Sequence, residues 1–562
     1  MEFYKTTESG FSGQKYYETY IEPMIGADDF KKLMKEFIDV APRIRDDDTY
    51  DIFAHQYYLF AIGDGSDIED YLKTMREVIS MNGLMNMLRV DGHETLRVPP
   101  QKDKQQLFHD ASTNFASAIR KGINLICIDI TEWMSELKNP DLKRFLVFLE
   151  QNCTRAVVVF RIPYLDAESM NKVYETLSDV LTVRLVKFPP LSMDQLIEYA
   201  KTKLSKYDYE TDDKGWELFR RRIIAEKNEG KFYEKMTVNK LVREMVYQKQ
   251  CADVRRGVTE NFISAEDMAG FVTDEEEREY TADELMDKLV GLREIKEQIR
   301  EIAQTIAYIK KEKTLESPCI HMRFSGNPGT GKTTVARILG KLLKENGVLS
   351  KGDFFEVTGR NLCGSYIGQT APLTERICRD AYGSVLFIDE AYSLYSDGAD
   401  SKDYGKEALV SLIGEMENHR SDFVVIMAGY SDEMKELMNG NPGLASRMPY
   451  NMEFPNYSRE ELTDIFFSMI PGSVEYSDAF AESVRDYFAA IDTDVIEQKE
   501  FSNARFVRNL FELTLSKAIV RKNAEGEDKL CLLPQDFELA CSSRSVTQLM
   551  ESEKRSIGFG FA

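Results

Sequence analysis

The 562-residue sequence predicts an α/β fold made twice in tandem, each time around a parallel sheet. Three observations carry that expectation. The stretch Gly326-Asn327-Pro328-Gly329-Thr330-Gly331-Lys332-Thr333 stands between a short apolar run at 322–324 and a helical pattern at 334–339. The four apolar residues of 385–388 run straight into the carboxylate pair Asp389-Glu390. The chain also matches itself, over nearly its whole length, with a shift of about 265 residues.

The first stretch satisfies the pattern G-x-x-x-x-G-K-[ST] in the strand–loop–helix context it requires. Its glycines let backbone N–H groups curl around phosphate oxygens, and the helix beginning near Thr334 adds its positive dipole end. Lys332 is expected to bridge the β- and γ-phosphates of ATP, with the Thr333 hydroxyl on Mg²⁺. The second observation supplies the partner. A buried parallel strand reads as a continuous apolar run, and ligands of such sheets collect at the strands' carboxyl ends. Asp389 then completes the Mg²⁺ shell and Glu390 polarises the attacking water as general base.

The repeat explains the first half. Pro23-Met24-Ile25-Gly26-Ala27-Asp28 echoes Lys288-Leu289-Val290-Gly291-Leu292-Arg293, each opening an amphipathic helix. Phe60-Ala61-Ile62-Gly63-Asp64-Gly65-Ser66-Asp67-Ile68-Glu69 falls on residues 324–333, Arg89-Val90-Asp91-Gly92 on 356–359, and Leu125-Ile126-Cys127-Ile128-Asp129 on 385–389. Residues 156–160 fall on 423–427, and Phe188-Pro189 on Phe454-Pro455. The differences decide chemistry. Ile68 replaces Lys332, Glu69 replaces Thr333 and Ile130 replaces Glu390. Losing the cation and gaining a carboxylate beside the phosphate position repels ATP, so the first copy is expected neither to bind nor to hydrolyse it. An unrelated α/β domain stays open as the alternative.

A net charge of −23, with neither half basic, argues against a broad grip on nucleic acid or on an anionic membrane. The longest basic cluster, Arg220-Arg221-Arg222, is expected on a solvated helix face. No apolar run approaches a membrane span, and the start Met1-Glu2-Phe3-Tyr4-Lys5 lacks a signal-peptide core. The eight cysteines form no C-x-x-C pair and the five histidines no H-E-x-x-H, which suits free thiols in the cytoplasm and no metal beyond nucleotide-bound Mg²⁺.

From His321 to Tyr457 the chain resembles the AAA+ superfamily, and within it the CbbX/SpoVK-like branch. The strings that carry the likeness are the phosphate loop, Gly364-Ser365-Tyr366-Ile367-Gly368-Gln369-Thr370-Ala371, Phe387-Ile388-Asp389-Glu390-Ala391-Tyr392, Ala428-Gly429-Tyr430 and Asn441-Pro442-Gly443-Leu444-Ala445-Ser446-Arg447. The resemblance implies an α/β nucleotide subdomain with a small helical lid, assembled as a hexameric ring with ATP at each subunit boundary. It implies Arg447 as an arginine finger acting on the neighbour, Arg505 of Asn503-Ala504-Arg505 as a lid residue on phosphate, and Val290 and Gly291 beside adenine. Tyr366, Ile367 and Gly368 match its pore loop, with Tyr366 gripping a polypeptide. The first copy has Val98-Pro99-Pro100-Gln101-Lys102 at the pore position and Leu181 at the finger position.

The expected organisation is a degenerate copy at 1–270, an acidic linker at 271–284 and an active copy at 285–562, divided into nucleotide subdomain 285–456 and lid 457–562. The leading reading is an ATP-driven remodeller of a protein client. A nucleotide-gated scaffold and a nucleic-acid motor remain as alternatives.

Overall fold

The computed structural model describes residues 13–44, 46–84, 94–97, 113–118, 120–121, 123, 125–152, 156–268, 270–271, 280–312, 319–395, 404–420, 423–499, 501–525 and 529–543. The matched segments 89–92 and 98–102, and 272–279 of the expected linker, lie outside them. The chain divides into two contact units. One comprises Met1–Thr273, Leu362–Asp380 and Lys402–Ser411; the other Asp274–Asn361, Ala381–Ser401 and Leu412–Ala562.

The first unit is built on β1 (Gln56–Ile62), β2 (Glu94–Arg97), β3 (Leu125–Asp129), β4 (Val157–Ile162) and β5 (Thr182–Phe188), in the order β2-β3-β4-β1-β5 and all parallel. Side chains alternate across the sheet. Tyr57, Leu59, Val158, Phe160 and Ile128 enter one core, and Tyr58, Phe60, Val157, Val159 and Cys127 the other. Both faces are therefore covered, which is why these strands read as unbroken apolar runs. On one face lies the helix Asp28–Val40, whose Phe30, Leu33, Met34 and Phe37 recur at helical spacing and are buried. Fully burying Phe30 alone stabilises by about 2–3 kcal/mol. A helical part follows, with Met193–Ser205, Asp213–Asn228 and Glu234–Arg256 and a short parallel pairing of Glu210–Thr211 with Phe262–Ile263.

The second unit repeats this plan with β6 (Met322–Gly326), β7 (Phe354–Thr358), β8 (Val385–Asp389), β9 (Val424–Gly429) and β10 (Tyr450–Phe454), in the order β7-β8-β9-β6-β10, again all parallel. Strand for strand the order is that of the first sheet. Its helical part holds Arg459–Ser468, Asp478–Ala489, Ala504–Glu525 and Pro534–Cys541, with Glu475–Tyr476 paired to Cys531–Leu532. Phe466 anchors it, its ring 5.7 Å from Phe511 and 5.6 Å from Phe537.

Local chemistry repeats as well. Ser192 and Ser458 each cap the first helix after the sheet through a reciprocal capping box, with Gln195 and Glu461 as partners. Asp67 and Gly331 are both left-handed caps of the helix after the first strand, with φ of 58° and 94°. Other features depart from expectation. Arg220, Arg221 and Arg222 are half-buried rather than on a solvated face; Arg221 pairs with Glu217 at 3.1 Å and Arg222 with Glu226 at 2.9 Å. Phe271, at the start of the expected linker, is buried and stacks on Phe219, while Thr281 caps the helix Ala282–Lys288. Among the described residues no helix is long and apolar enough to cross a membrane, and the cysteines are free thiols.

Candidate nucleotide site

β6 delivers Gly326 to the carboxyl end of the sheet, and the chain turns there before the helix Lys332–Glu345. The turn has φ of 147° at Gly326, 71° at Gly329 and 94° at Gly331. A Cβ at Gly326 would meet the Phe454 carbonyl oxygen at 2.4 Å, and one at Gly329 the Ser502 carbonyl oxygen at 2.1 Å. Conformation and close approach both require glycine here. Thr330 and Asn327, expected to touch nucleotide, turn their side chains to the loop's own shape. Thr330 Oγ1 donates to the Asn327 carbonyl at 2.8 Å, and Asn327 Nδ2 donates to Asn456 Oδ1 at 3.0 Å.

Lys332 Nζ donates to the carbonyl oxygens of Gly326 and Asn327, at 2.8 and 2.7 Å. Burial pushes its pKa down to about 8, with Arg505 adding to that and Asp389 opposing it. Asp389 ends β8, and its Oδ1 accepts from the Glu390 backbone N–H at 2.9 Å. Glu390 follows in a left-handed conformation, φ 48°, and caps the short turn Ala391–Leu394. Its backbone thus reverses just where its carboxylate leaves the sheet.

A cavity of about 270 Å³ gathers these groups: Gly326, Pro328, Gly329 and Gly331 of the loop, with Lys332, Thr333, Thr334, Asp389 and Glu390. Arg505 closes it from the lid, whose root is tied to the loop by the Ala504 N–H donating to the Gly329 carbonyl at 3.2 Å. The donor set fits a nucleotide–Mg²⁺ pair. It offers amides and a lysine for phosphate, and one hydroxyl and one carboxylate for a metal that keeps other oxygens as ligands. Among the described residues no cluster of three metal-ligating side chains exists, so the metal would need the phosphates to complete its shell.

Tyr392, Tyr430 and Arg508 also line the cavity. Arg508 was missed in the sequence although it lies one helical turn beyond Arg505, on the same face of Ala504–Glu525. Val290 is half-buried against the core and Gly291, φ 63°, lies against Glu461; neither lines the cavity. Arg447 sits apart from it as well, its Nε donating to Glu417 Oε2 at 2.9 Å and its Nη1 to the Gly443 carbonyl at 3.0 Å. In the loop 364–369, Tyr366 and Ile367 are exposed and Gly368 has φ 79°. The backbone N–H groups of Ser365 and Tyr366 both donate to Gln369 Oε1, at 2.9 and 3.3 Å.

With this geometry in place, comparison with known proteins is direct. Residues 322–456 match the family described as "ATPase family associated with various cellular activities (AAA)", and residues 458–547 match "AAA lid domain". Stage V sporulation protein K of Bacillus subtilis is 43% identical over 241 residues, which are 42% of this chain and 74% of that protein. Protein CbbX of Cereibacter sphaeroides is 42% identical over 234 residues, 41% of this chain and 74% of the relative. The chloroplastic ribulose bisphosphate carboxylase/oxygenase activase of Cyanidioschyzon merolae is 38% identical over 284 residues, 48% of this chain and 89% of the relative. The chain belongs to the AAA ATPases, in the CbbX-like branch, with nucleotide module and lid in its C-terminal half.

Proposed function

We propose that the second unit hydrolyses ATP with Mg²⁺ and that a ring of these chains, six in number, uses the cycle to remodel a protein client in the cytoplasm. The observation that carries this reading is one cavity joining both motifs and the lid: Lys332 and Thr333, Asp389 and Glu390, and Arg505. In it Lys332 neutralises phosphate charge, Thr333 and Asp389 hold the metal, and Glu390 takes the proton of the attacking water. Thr334 and the loop amides seat the phosphates, while Val290 and Gly291, which lie outside the cavity, would flank a base extending beyond it. Arg505 follows the phosphates from the lid, and Arg447 reaches a neighbouring subunit's site. Bound Mg²⁺ supplies charge neutralisation at the phosphates.

A protein client is supported by the name of one relative, an activase of another enzyme. It is supported too by the exposed Tyr366-Ile367 tip beside Gly368. Aromatic side chains offer large contact area at low entropic cost, and so hold a polypeptide without reading its sequence. The first unit shares the strand order but lacks the lysine and the hydroxyl, and serves as a module without ATPase activity. The domain division at 270 and 285 goes with this assignment as a division of the chain by copies, while Leu362–Asp380 and Lys402–Ser411 fall in the first contact unit.

The test is Tyr366→Ala, with a client obtained by trapping on Glu390→Gln protein. Basal ATPase should stay within a fewfold, while remodelling per ATP is lost and Tyr366→Phe retains it. If Tyr366→Ala remodels as well as the parent, the reading in which Tyr366 grips the client fails and a nucleotide-gated scaffold replaces it.

A further inference from the structure

We propose that the first unit is latched by its own side chains, Arg161 and Glu234, which tie strand ends, loop and lid root where nucleotide and metal would otherwise join them. The inference rests on reading that unit as unable to take ATP, and explains what its site does instead.

Arg161 lies near the end of β4, its side chain only 12% exposed. Its Nη1 donates to Asp129 Oδ2 and to Thr131 Oγ1, both at 3.2 Å, and its Nη2 to the Ile62 carbonyl at 3.4 Å and to the Asp64 carboxylate. One guanidinium thus gathers the end of β1, the loop after it and the end of β3. These are the three places that, in the second unit, surround the cavity. Asp129 is the counterpart of Asp389, so its carboxylate already has an internal cation. In the second sheet the aligned residue is Ala428, which has nothing beyond Cβ to reach Asp389.

The lid side is tied in the same way. Glu234 heads the helix Glu234–Arg256 in a left-handed conformation, φ 36°, and is buried. Its Oε2 accepts from Ser66 Oγ at 2.5 Å, and its Oε1 from Arg376 Nη1 at 3.1 Å in the same contact unit. The Met236 N–H donates to the Gly65 carbonyl at 3.3 Å and Lys235 Nζ to Tyr71 Oη at 2.6 Å. A Cβ at Gly65 would meet the Tyr233 carbonyl carbon at 2.5 Å, so loop and lid root touch there, as they do at Gly329 and Ser502 in the second unit; what the first unit adds is the Glu234 carboxylate on the loop hydroxyl. A carboxylate rests on the loop hydroxyl and a cation on the acidic strand end. Each is partly desolvated and stable only while its partners remain.

The latch therefore holds loop and lid in one position whatever the nucleotide supply. Hydrogen exchange on the full chain, with and without ATP and Mg²⁺, tests it. In the parent, peptides spanning 60–70 and 233–240 should exchange at rates equal within twofold in both conditions. Arg161→Ala should speed exchange at 62–67 by tenfold or more. Asp64→Asn, altering a side chain 76% exposed and so leaving the fold intact, should speed it several-fold. Unchanged protection in Asp64→Asn and in a folded Arg161→Ala would overturn the latch alone. Slowing of these peptides by ATP in the parent would overturn the latch together with the reading beneath it.

Discussion

Lys332 Nζ lies 2.8 Å from the carbonyl oxygen of Gly326, its own loop's first residue. Both carbonyls it touches must release it before it can reach a phosphate. Burial has brought its pKa down to about 8, and a bound triphosphate restores the charged form. Binding therefore takes up a proton once the free protein's lysine is neutral. ATP affinity should be flat below pH 8 and fall as pH rises above it, approaching tenfold per pH unit, with proton uptake by calorimetry at pH 9 and little at pH 7. Lys332→Ala should bind ATP at least a hundredfold more weakly and lose that pH dependence.

In the proposed site, Glu390→Gln leaves Asp389 for the metal and the phosphate-binding groups in place. Its ATP affinity should match the parent within a fewfold while turnover falls by roughly 10²–10⁴, the usual worth of a positioned base. Turnover within threefold of the parent would remove Glu390 from that role.

Arg447 is held away from its own chain's cavity by Glu417 and the Gly443 carbonyl. An arginine acting across a head-to-tail interface makes activity depend on assembly. Mixed Arg447→Ala and Lys332→Ala chains should recover measurable ATPase although each alone has none. A dead mixture shown by mass to co-assemble rules out action in trans.

His321 offers a stability test apart from catalysis. It is fully buried; its Nδ1 accepts from the Val425 N–H at 3.1 Å, leaving Nε2 to donate to the Met416 carbonyl at 3.2 Å. That pattern demands the neutral ring, and burial lowers its pKa to about 4. In the unfolded chain the ring titrates near 6.5. Its contribution is therefore complete above about pH 6.5 and drains away as pH falls toward 4, by on the order of 3 kcal/mol. The urea midpoint of the second unit should drop over that window. His321→Phe should be less stable at pH 7, because it strands a buried N–H and carbonyl, yet show a visibly shallower slope between pH 6.5 and 4.

The sequence exposed some of this and concealed the rest for physical reasons. β8 spans Val385–Asp389, as its apolar run foretold, because both faces of the sheet are covered. The phosphate loop was legible because its glycines answer a backbone need that no other residue meets. The pairing of Arg161 with Asp129 was not, since an arginine in an apolar strand does not say which strand ends lie beside it; only the order β3-β4-β1 does. Arg222 misled in the opposite direction. A triplet of arginines suggests solvent, but the Phe271 ring lies 6.0 Å from its guanidinium, placed there by residues some fifty positions on. Asn327 and Thr330 show a further limit: a motif names the loop, not which of its side chains face inward.

The tie between the Gly329 carbonyl and the Ala504 N–H sits at the root of a 22-residue helix. At 1.5 Å per residue that helix is about 33 Å long. Were the occupant of the phosphate loop to tilt the root by about 5°, the far end would move by about 3 Å, more than half the pitch of a helical turn. On the proposed function, the lid would then act as a lever whose short arm is the nucleotide site, its length setting how far a change there is carried.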